Sequence, residues 1–179
     1  VNVYLVEMLP HLLAQSFDEE FSILVEEKLK SKGVNVLTNA KVVEFIGDEK
    51  VRKVRLEDGR EIDVDVVLLG IGARPNSELA KTAGLEVINT GAIWVDEYMR
   101  TSDPDIFAVG DCALKRDFYT RRNTAVMLAS TATAEARIAG ANLYKIKLIR
   151  ENKGTIAVYS TYVDGLVLAS AGLTENSAM

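Results

Sequence analysis

"VNVYLVEMLPHLLAQSFDEEFSILVEEKLKSKGVNVLTN", residues 1–39, decides the fold. Its apolar spacing changes period twice. Val1 to Val6 alternates or runs apolar and stops at Glu7, which predicts a strand. A loop with Pro10 follows, and Ser16 with Glu19 has the spacing of a capping box that opens a helix. Phe21, Leu24, Val25 and Leu29 then share one helical face, and Gly33 supplies the stop. "VNVLTN" at 34–39 reads as a second strand. Strand, helix, strand is a β-α-β unit, and its right-handed crossover makes the two strands parallel.

Outward from this unit, "KVVEFIG" (41–47), "VRKVRLE" (51–57) and "REIDVDVVLLG" (60–70) are β-rich runs, with Asp58-Gly59 suited to a tight turn between the second and third. They predict an antiparallel meander inserted in a parallel sheet. "DVVLLG" is almost wholly apolar, as a strand buried on both faces should be. Further strands are expected at 92–95 and 106–110, on either side of a turn-rich stretch with Thr101, Ser102 and Pro104. An Ala-rich, proline-free stretch from Thr124 to Leu143 predicts a long helix. "GTIAVYSTYVDGLVLASAGLT" (154–174) predicts a hairpin turning at Asp164-Gly165, which needs a larger sheet for stability.

The chain has 179 residues, 48% of them apolar, which is enough for a packed core. A net charge of −5 with scattered Lys and Arg leaves no basic face for nucleic acid. One cysteine and one histidine cannot form an internal disulfide or a zinc site of the usual spacing, so no metal is expected. No apolar run is long enough to span a bilayer, and the opening residues lack the charged leader of a signal peptide. The expected setting is therefore the cytoplasm, with no membrane partner. Position 1 falls inside a β-type run, so the chain is expected to begin within a domain.

Three places carry candidate chemistry. Glu7 ends a strand before a loop, where an acid in a dinucleotide-binding unit accepts hydrogen bonds from the adenosine ribose. The plainer reading is a solvated loop residue, and the G-x-G-x-x-G loop that should precede it is not in this chain. "GIGARPN" (70–76) lies at the C-terminal end of the apolar run, where ligands settle in open α/β sheets; it also reads as an ordinary tight turn. In "TSDPDIFAVGDCA" (101–113), Gly110 permits close backbone approach and Asp111 offers an acceptor-only carboxylate suited to a sugar or ribityl hydroxyl. The alternative for Asp111 is a cap of the next segment. Cys112 reads as a small buried hydrophobe, since the nearest cation in sequence is Lys115.

Glu7 followed by "LPHLLAQSFDEEF", then "LGIGARPN", "TSDPDIFAVGDCA" and "LASTATAEARIAGANL", in that order, resembles the flavin-dependent pyridine nucleotide-disulfide oxidoreductase family. The branch it is most similar to contains NADH oxidase, NADH peroxidase and coenzyme A-disulfide reductase. The resemblance implies an α/β, Rossmann-like three-layer nucleotide-binding fold with an inserted antiparallel meander and a C-terminal β-hairpin. It divides the chain into a partial NAD(H)-binding domain (1–75), the returning part of an FAD-binding domain (76–150) and the start of a dimerisation domain (151–179). The resemblance also implies a homodimer or higher homo-oligomer, and a redox cysteine upstream of the segment given. By itself the segment is expected to be inactive.

On that resemblance Glu7 is the ribose-binding acid, favouring NADH because no Arg or Lys follows at once. Gly70, Ile71 and Gly72 border the nicotinamide half of the cofactor. Gly110 and Asp111 meet the ribityl chain of FAD. Leu128, Ala129, Ser130 and Thr131 open the helix whose N-terminal amides face the flavin pyrimidine. No catalytic residue is assigned. The implied activity is hydride transfer from NADH to flavin and on to oxygen, peroxide or a disulfide. A ferredoxin- or rubredoxin-reductase-like flavoprotein, and a non-catalytic nucleotide-binding module, are the alternatives.

Overall fold

The computed structural model describes residues 1–144 and 150–179, so 145–149, near the end of the expected 76–150 segment, lie outside the description. The chain forms two compact units, residues 1–70 with 158–179, and residues 71–157.

The first unit opens with the β-α-β motif. Strand β1 (Val3–Val6), helix α1 (Glu19–Ser31) and strand β2 (Val34–Leu37) follow in order, and β1 pairs with β2 in parallel, Val3 opposite Val34 and Val6 opposite Leu37. The strand is two residues shorter than Val1 to Val6. The expected capping box is not formed: α1 starts one residue after Asp18, whose carboxylate instead accepts the Glu175 N–H at 2.8 Å. Ser16 is likewise engaged elsewhere, its carbonyl accepting the Ser170 hydroxyl at 2.8 Å.

Ser22, Val25 and Glu26 are the buried residues of α1, while Phe21 and Leu24 are exposed. The helix therefore packs one position further round than its apolar residues suggest, because the small Ser22 lets it sit close. The meander is present as β3 (Val42–Gly47), β4 (Val51–Leu56) and β5 (Glu61–Asp63), antiparallel in the order β3-β4-β5. The Asp58 carboxylate accepts the Arg60 N–H at 3.0 Å across the turn. Ala40, Val54 and Leu56 form the core beneath it.

"DVVLLG" is not a strand. Residues 64–70 belong to no ladder, with Val66 73% exposed and Leu68 92% exposed. Its composition suits a strand with neighbours on both sides, but the parallel sheet described here consists of β1 and β2, so the run has no neighbour to bond.

The second unit holds a short helix α2 (Glu78–Thr82), a 3-10 turn at Gly110–Cys112, the two-residue strands β6 (Lys115–Arg116) and β7 (Asn123–Thr124), and helix α3 (Ala129–Asn142). The expected strands at 92–95 and 106–110 reduce to single bridges. Ile93 pairs with Val87 and Ala113, and Phe107 with Arg100. Turns at Asp96 and Asp103, whose carboxylates accept nearby backbone N–H groups, bend the chain too often for a longer ladder. The helix expected from Thr124 starts five residues later because Thr124 is taken into β7. Ile93, Val95, Met99, Ala108, Ala113, Leu114 and Ala139 form the core.

The chain then returns to the first unit as the hairpin β8 (Val158–Val163) and β9 (Leu166–Ala171), turning at Asp164-Gly165 as expected, and ends in helix α4 (Glu175–Ala178). Leu168 enters the cluster of Leu12, Phe17 and Val25, with Leu5, Leu29 and Val36 around it. The hairpin is thus held by α1 and the loop before it. No helix among the described residues is long and apolar enough to cross a membrane.

Candidate functional site

Glu7 follows β1 directly, half-buried, with its backbone continuing the parallel pairing: its N–H donates to the Leu37 carbonyl at 2.9 Å and its carbonyl accepts the Ala40 N–H at 2.9 Å. The main chain is therefore fixed where the acid departs. One carboxylate oxygen accepts the Leu9 N–H at 2.9 Å and closes the first turn of the loop. The second oxygen has no hydrogen-bond partner among the described residues. Met8 and Leu9 follow, with no cation to pair a phosphate.

Gly70 belongs to the first unit, and Ile71 and Gly72 to the second. All three are exposed, and a side chain built on either glycine would meet no atom within 4 Å. Only Gly72 has a conformational reason to be glycine, its φ being +84°.

In the second unit Gly110, Asp111 and the start of α3 come together. Val109 is extended, and the chain turns sharply at Gly110, whose φ of +77° is a left-handed value that costs an L-residue about 1–2 kcal/mol. A Cβ at Gly110 would lie 3.5 Å from the Ala132 Cβ, so the turn rests on the first turns of α3. Asp111 stands exposed, and no donor among the described residues engages its carboxylate. Beyond it, Ile93 clamps the chain, donating to the Cys112 carbonyl at 2.8 Å and accepting the Leu114 N–H at 2.8 Å. Cys112 is half-buried, with Sγ 3.5 Å from the Val109 carbonyl, and packs against the apolar core.

Leu128 is the extended residue before α3. The N–H groups of Ala129, Ser130 and Thr131 precede the first intrahelical bond, from Ala132 to the Leu128 carbonyl at 3.0 Å, so they face outward with the positive end of the helix dipole. Ala129 and Ser130 are exposed; Leu128 and Thr131 are half-buried.

Two residues of this region escaped the sequence reading. Lys115 and Glu135 are 3% and 1% exposed and form an ion pair at 3.2 Å directly behind the turn. The Glu135 carboxylate accepts the Gly110 N–H at 2.8 Å, while the Lys115 ammonium donates to the Gly110 carbonyl and, at 3.1 Å, to that of Ala113. Burial pushes the Glu135 carboxyl up from its ordinary value, against the opposing pull of the Gly110 N–H and the Lys115 charge. Helical spacing was the available signal, since Glu135 lies on the same buried stripe as Ala139 and Asn142.

The donor set fits the groups that the resemblance implies. A half-free carboxylate at the end of a parallel strand suits a ribose, and an exposed carboxylate on a rigid glycine turn, next to a helix N-terminus, suits a polyol joined to an electron-rich ring.

Comparison with known proteins identifies the family. Residues 1–136 match the family described as pyridine nucleotide-disulphide oxidoreductase. An NADH oxidase of Enterococcus faecalis is 36% identical over 179 residues, covering 99% of this chain and 39% of the relative. The solved NAD-dependent persulfide reductase from A. fulgidus superposes with a TM-score of 0.92 at 37% identity, over 99% of this chain and 32% of that one. The water-forming NADH oxidase from Lactobacillus brevis, solved with NADH bound, superposes with a TM-score of 0.91 at 29% identity, over 99% of this chain and 38% of that one. This chain thus has the Rossmann-like α/β fold of these enzymes and spans under two fifths of their length.

Proposed function

The chain belongs to the pyridine nucleotide-disulphide oxidoreductase family, and from that premise we propose that it is a segment of an FAD-dependent NADH oxidoreductase of the NADH oxidase or disulfide reductase type. Residues 1–75 are assigned to the NAD(H)-binding domain, 76–150 to the returning part of the FAD-binding domain and 151–179 to the start of the dimerisation domain. Bound together, the two cofactors supply hydride transfer from NADH to flavin and delivery of electrons to oxygen, peroxide or a small disulfide, the protein contributing orientation and electrostatics.

The polypeptide's part is binding. Glu7 accepts hydrogen bonds from the adenosine ribose, and the apolar Met8 and Leu9 favour NADH because they cannot neutralise a 2′-phosphate. Gly70, Ile71 and Gly72 border the nicotinamide half without side-chain bulk at either glycine. Asp111 accepts from a ribityl hydroxyl at the Gly110 turn. The first-turn amides of α3, from Leu128 to Thr131, lend partial positive charge to the flavin pyrimidine. A homo-oligomer is the proposed assembly, supported by the exposed Val158, Tyr162 and Val167 of the hairpin. The proposed setting is the cytoplasm, where a lone thiol such as Cys112 stays reduced.

The observation that carries the reading is the exposed Asp111 carboxylate on a clamped glycine turn against the start of α3. It is tested in the full-length protein that contains this segment. Asp111→Ala should weaken FAD retention by at least about tenfold, the equivalent of a charge-assisted hydrogen bond of roughly 1.5–3 kcal/mol. Cys112→Ala should leave FAD bound and turnover within about threefold, with a stability loss near 1 kcal/mol. Loss of turnover in Cys112→Ala with FAD still bound would make the cysteine catalytic and overturn the assignment.

A further inference from the structure

Behind the Gly110–Cys112 turn, two ionisable groups are buried that no contact with ribose or flavin requires. Moving Lys115 and Glu135 out of water is costly, and a well-packed apolar pair of the same volume would be as stable or more so. What the charged pair provides is direction. Its members hold opposite sides of one residue: Glu135 Oε2 accepts the Gly110 N–H at 2.8 Å, and Lys115 Nζ donates to the Gly110 carbonyl. The 3.2 Å contact between the two side chains joins these bonds into a closed loop. With both polar atoms of Gly110 fixed and Ile93 fixing the chain beyond Cys112, the backbone of Asp111 is restrained on both sides. Helix α3 carries Glu135 as well as the amides of Ala129 to Thr131, so the same contact registers the turn against the helix N-terminus.

We propose that Glu135 and Lys115 are positioning residues for cofactor binding, a buried ion pair that holds the Gly110 peptide so that Asp111 meets the ribityl chain while α3 meets the ring. This rests on the reading of Asp111 as the ribityl acceptor. A pair that only stabilised the core would affect folding and leave cofactor affinity to follow stability. A positioning pair affects the turn while the fold persists.

The test uses FAD and the full-length protein. Two charge-free double variants are compared, Lys115→Met with Glu135→Leu, and Lys115→Met with Glu135→Gln; the second keeps an acceptor for the Gly110 N–H. FAD dissociation constants, urea midpoints of the apoprotein and the exchange rate of the Gly110 amide are measured for each, with Asp111→Ala as reference. The Leu variant should keep its urea midpoint, exchange the Gly110 amide at least about tenfold faster and bind FAD at least about tenfold more weakly, as the loss of a hydrogen bond to a charged group predicts. The Gln variant, which keeps the acceptor for the Gly110 N–H but not the Lys115 donor, should bind FAD at least about threefold more tightly than the Leu variant and more weakly than the parent.

If the Leu variant binds FAD as the parent does while Asp111→Ala loses it, the positioning role is overturned and Asp111 keeps its assignment. Equal losses in both double variants, in step with falling urea midpoints, would reduce the pair to a structural one and overturn the proposal too. If Asp111→Ala itself retains FAD, the reading of the site fails first. Should the Leu variant not fold, the Lys115→Met, Glu135→Gln variant is compared with Glu135→Gln alone, the two differing in the Lys115 bond to the Gly110 carbonyl, which otherwise keeps only the Ala113 N–H. FAD affinity must be at least about threefold weaker in the former, or the proposal is wrong.

Discussion

Asp117 and Glu135 are both buried acids of the second unit, but their surroundings move their protons in opposite directions. Asp117 accepts the Thr120 N–H at 2.7 Å, with the Thr120 hydroxyl and the Tyr119 N–H each at 3.0 Å, and these donors hold its carboxyl below the ordinary 3.8. Its contribution to stability is present above 3.8 and is lost as pH falls through the lower folded value. Glu135 is raised above the ordinary 4.5 by burial. Between 4.5 and that raised folded value the native state binds more protons than the unfolded chain, so its contribution is complete below 4.5 and declines as pH rises through the folded value. Above that value the carboxylate paired with Lys115 is the native form. Urea midpoints against pH should therefore lose part of their acid limb in Asp117→Asn and part of their decline above 4.5 in Glu135→Gln. A profile unchanged by either substitution would contradict the assignment. Glu7 and Asp111 were legible as candidates because each is an acid at the end of an apolar run. Lys115 and Glu135 were not: helical spacing puts Glu135 on the stripe of Ala139 and Asn142, but nothing in "ALKRD" names Lys115 as the charge it meets out of water.

At the scale of elements, the clearest dependence is that of the C-terminal hairpin on α1 and its preceding loop. Phe17 is 5% exposed and joins Leu12, Val25 and Leu168 in one cluster. Phe17→Ala should cost about 3–5 kcal/mol by urea denaturation and should expose the β8–β9 amides to exchange together with those of α1. A loss confined to α1, with β8 and β9 still protected, would show that the hairpin is held some other way. Turn chemistry made this hairpin and the meander readable, since Asp58-Gly59 and Asp164-Gly165 each carry their own geometry. The parallel pairing of β1 and β2 was readable too, because a helix between two strands carries the chain back to the end where it began. The capping box failed because α1 starts at Glu19, which makes Asp18 and not Ser16 the residue before the helix, and the Asp18 carboxylate is taken by the N–H of Glu175, more than 150 positions away. "DVVLLG" failed similarly, since apolar composition states a preference for neighbours without supplying them.

For the whole molecule, composition correctly announced a chain able to build cores: the first unit has two apolar clusters and the second has one. It could not announce which apolar residues stay outside. In the first unit Val66, Leu68 and Leu69, between 66% and 92% exposed, flank the half-buried Val67 and put large apolar side chains outside, as an interaction surface or an aggregation liability does. In the 179-residue chain, Val66→Thr with Leu68→Lys should lower concentration-dependent light scattering and dye binding while changing stability by no more than about 0.5 kcal/mol. Unchanged scattering would mean that another surface drives association. The Gly110 turn bears on the whole molecule in a different way. Both polar atoms of that glycine are spent inward, on Glu135, Lys115 and the Ala113 N–H. The glycine's own backbone is therefore silent toward any ligand, and the side chain that the turn presents outward is the Asp111 carboxylate. Shape and exposed charge are written at different positions, so a substitution at 111 can change the charge the turn presents without redrawing the loop that presents it.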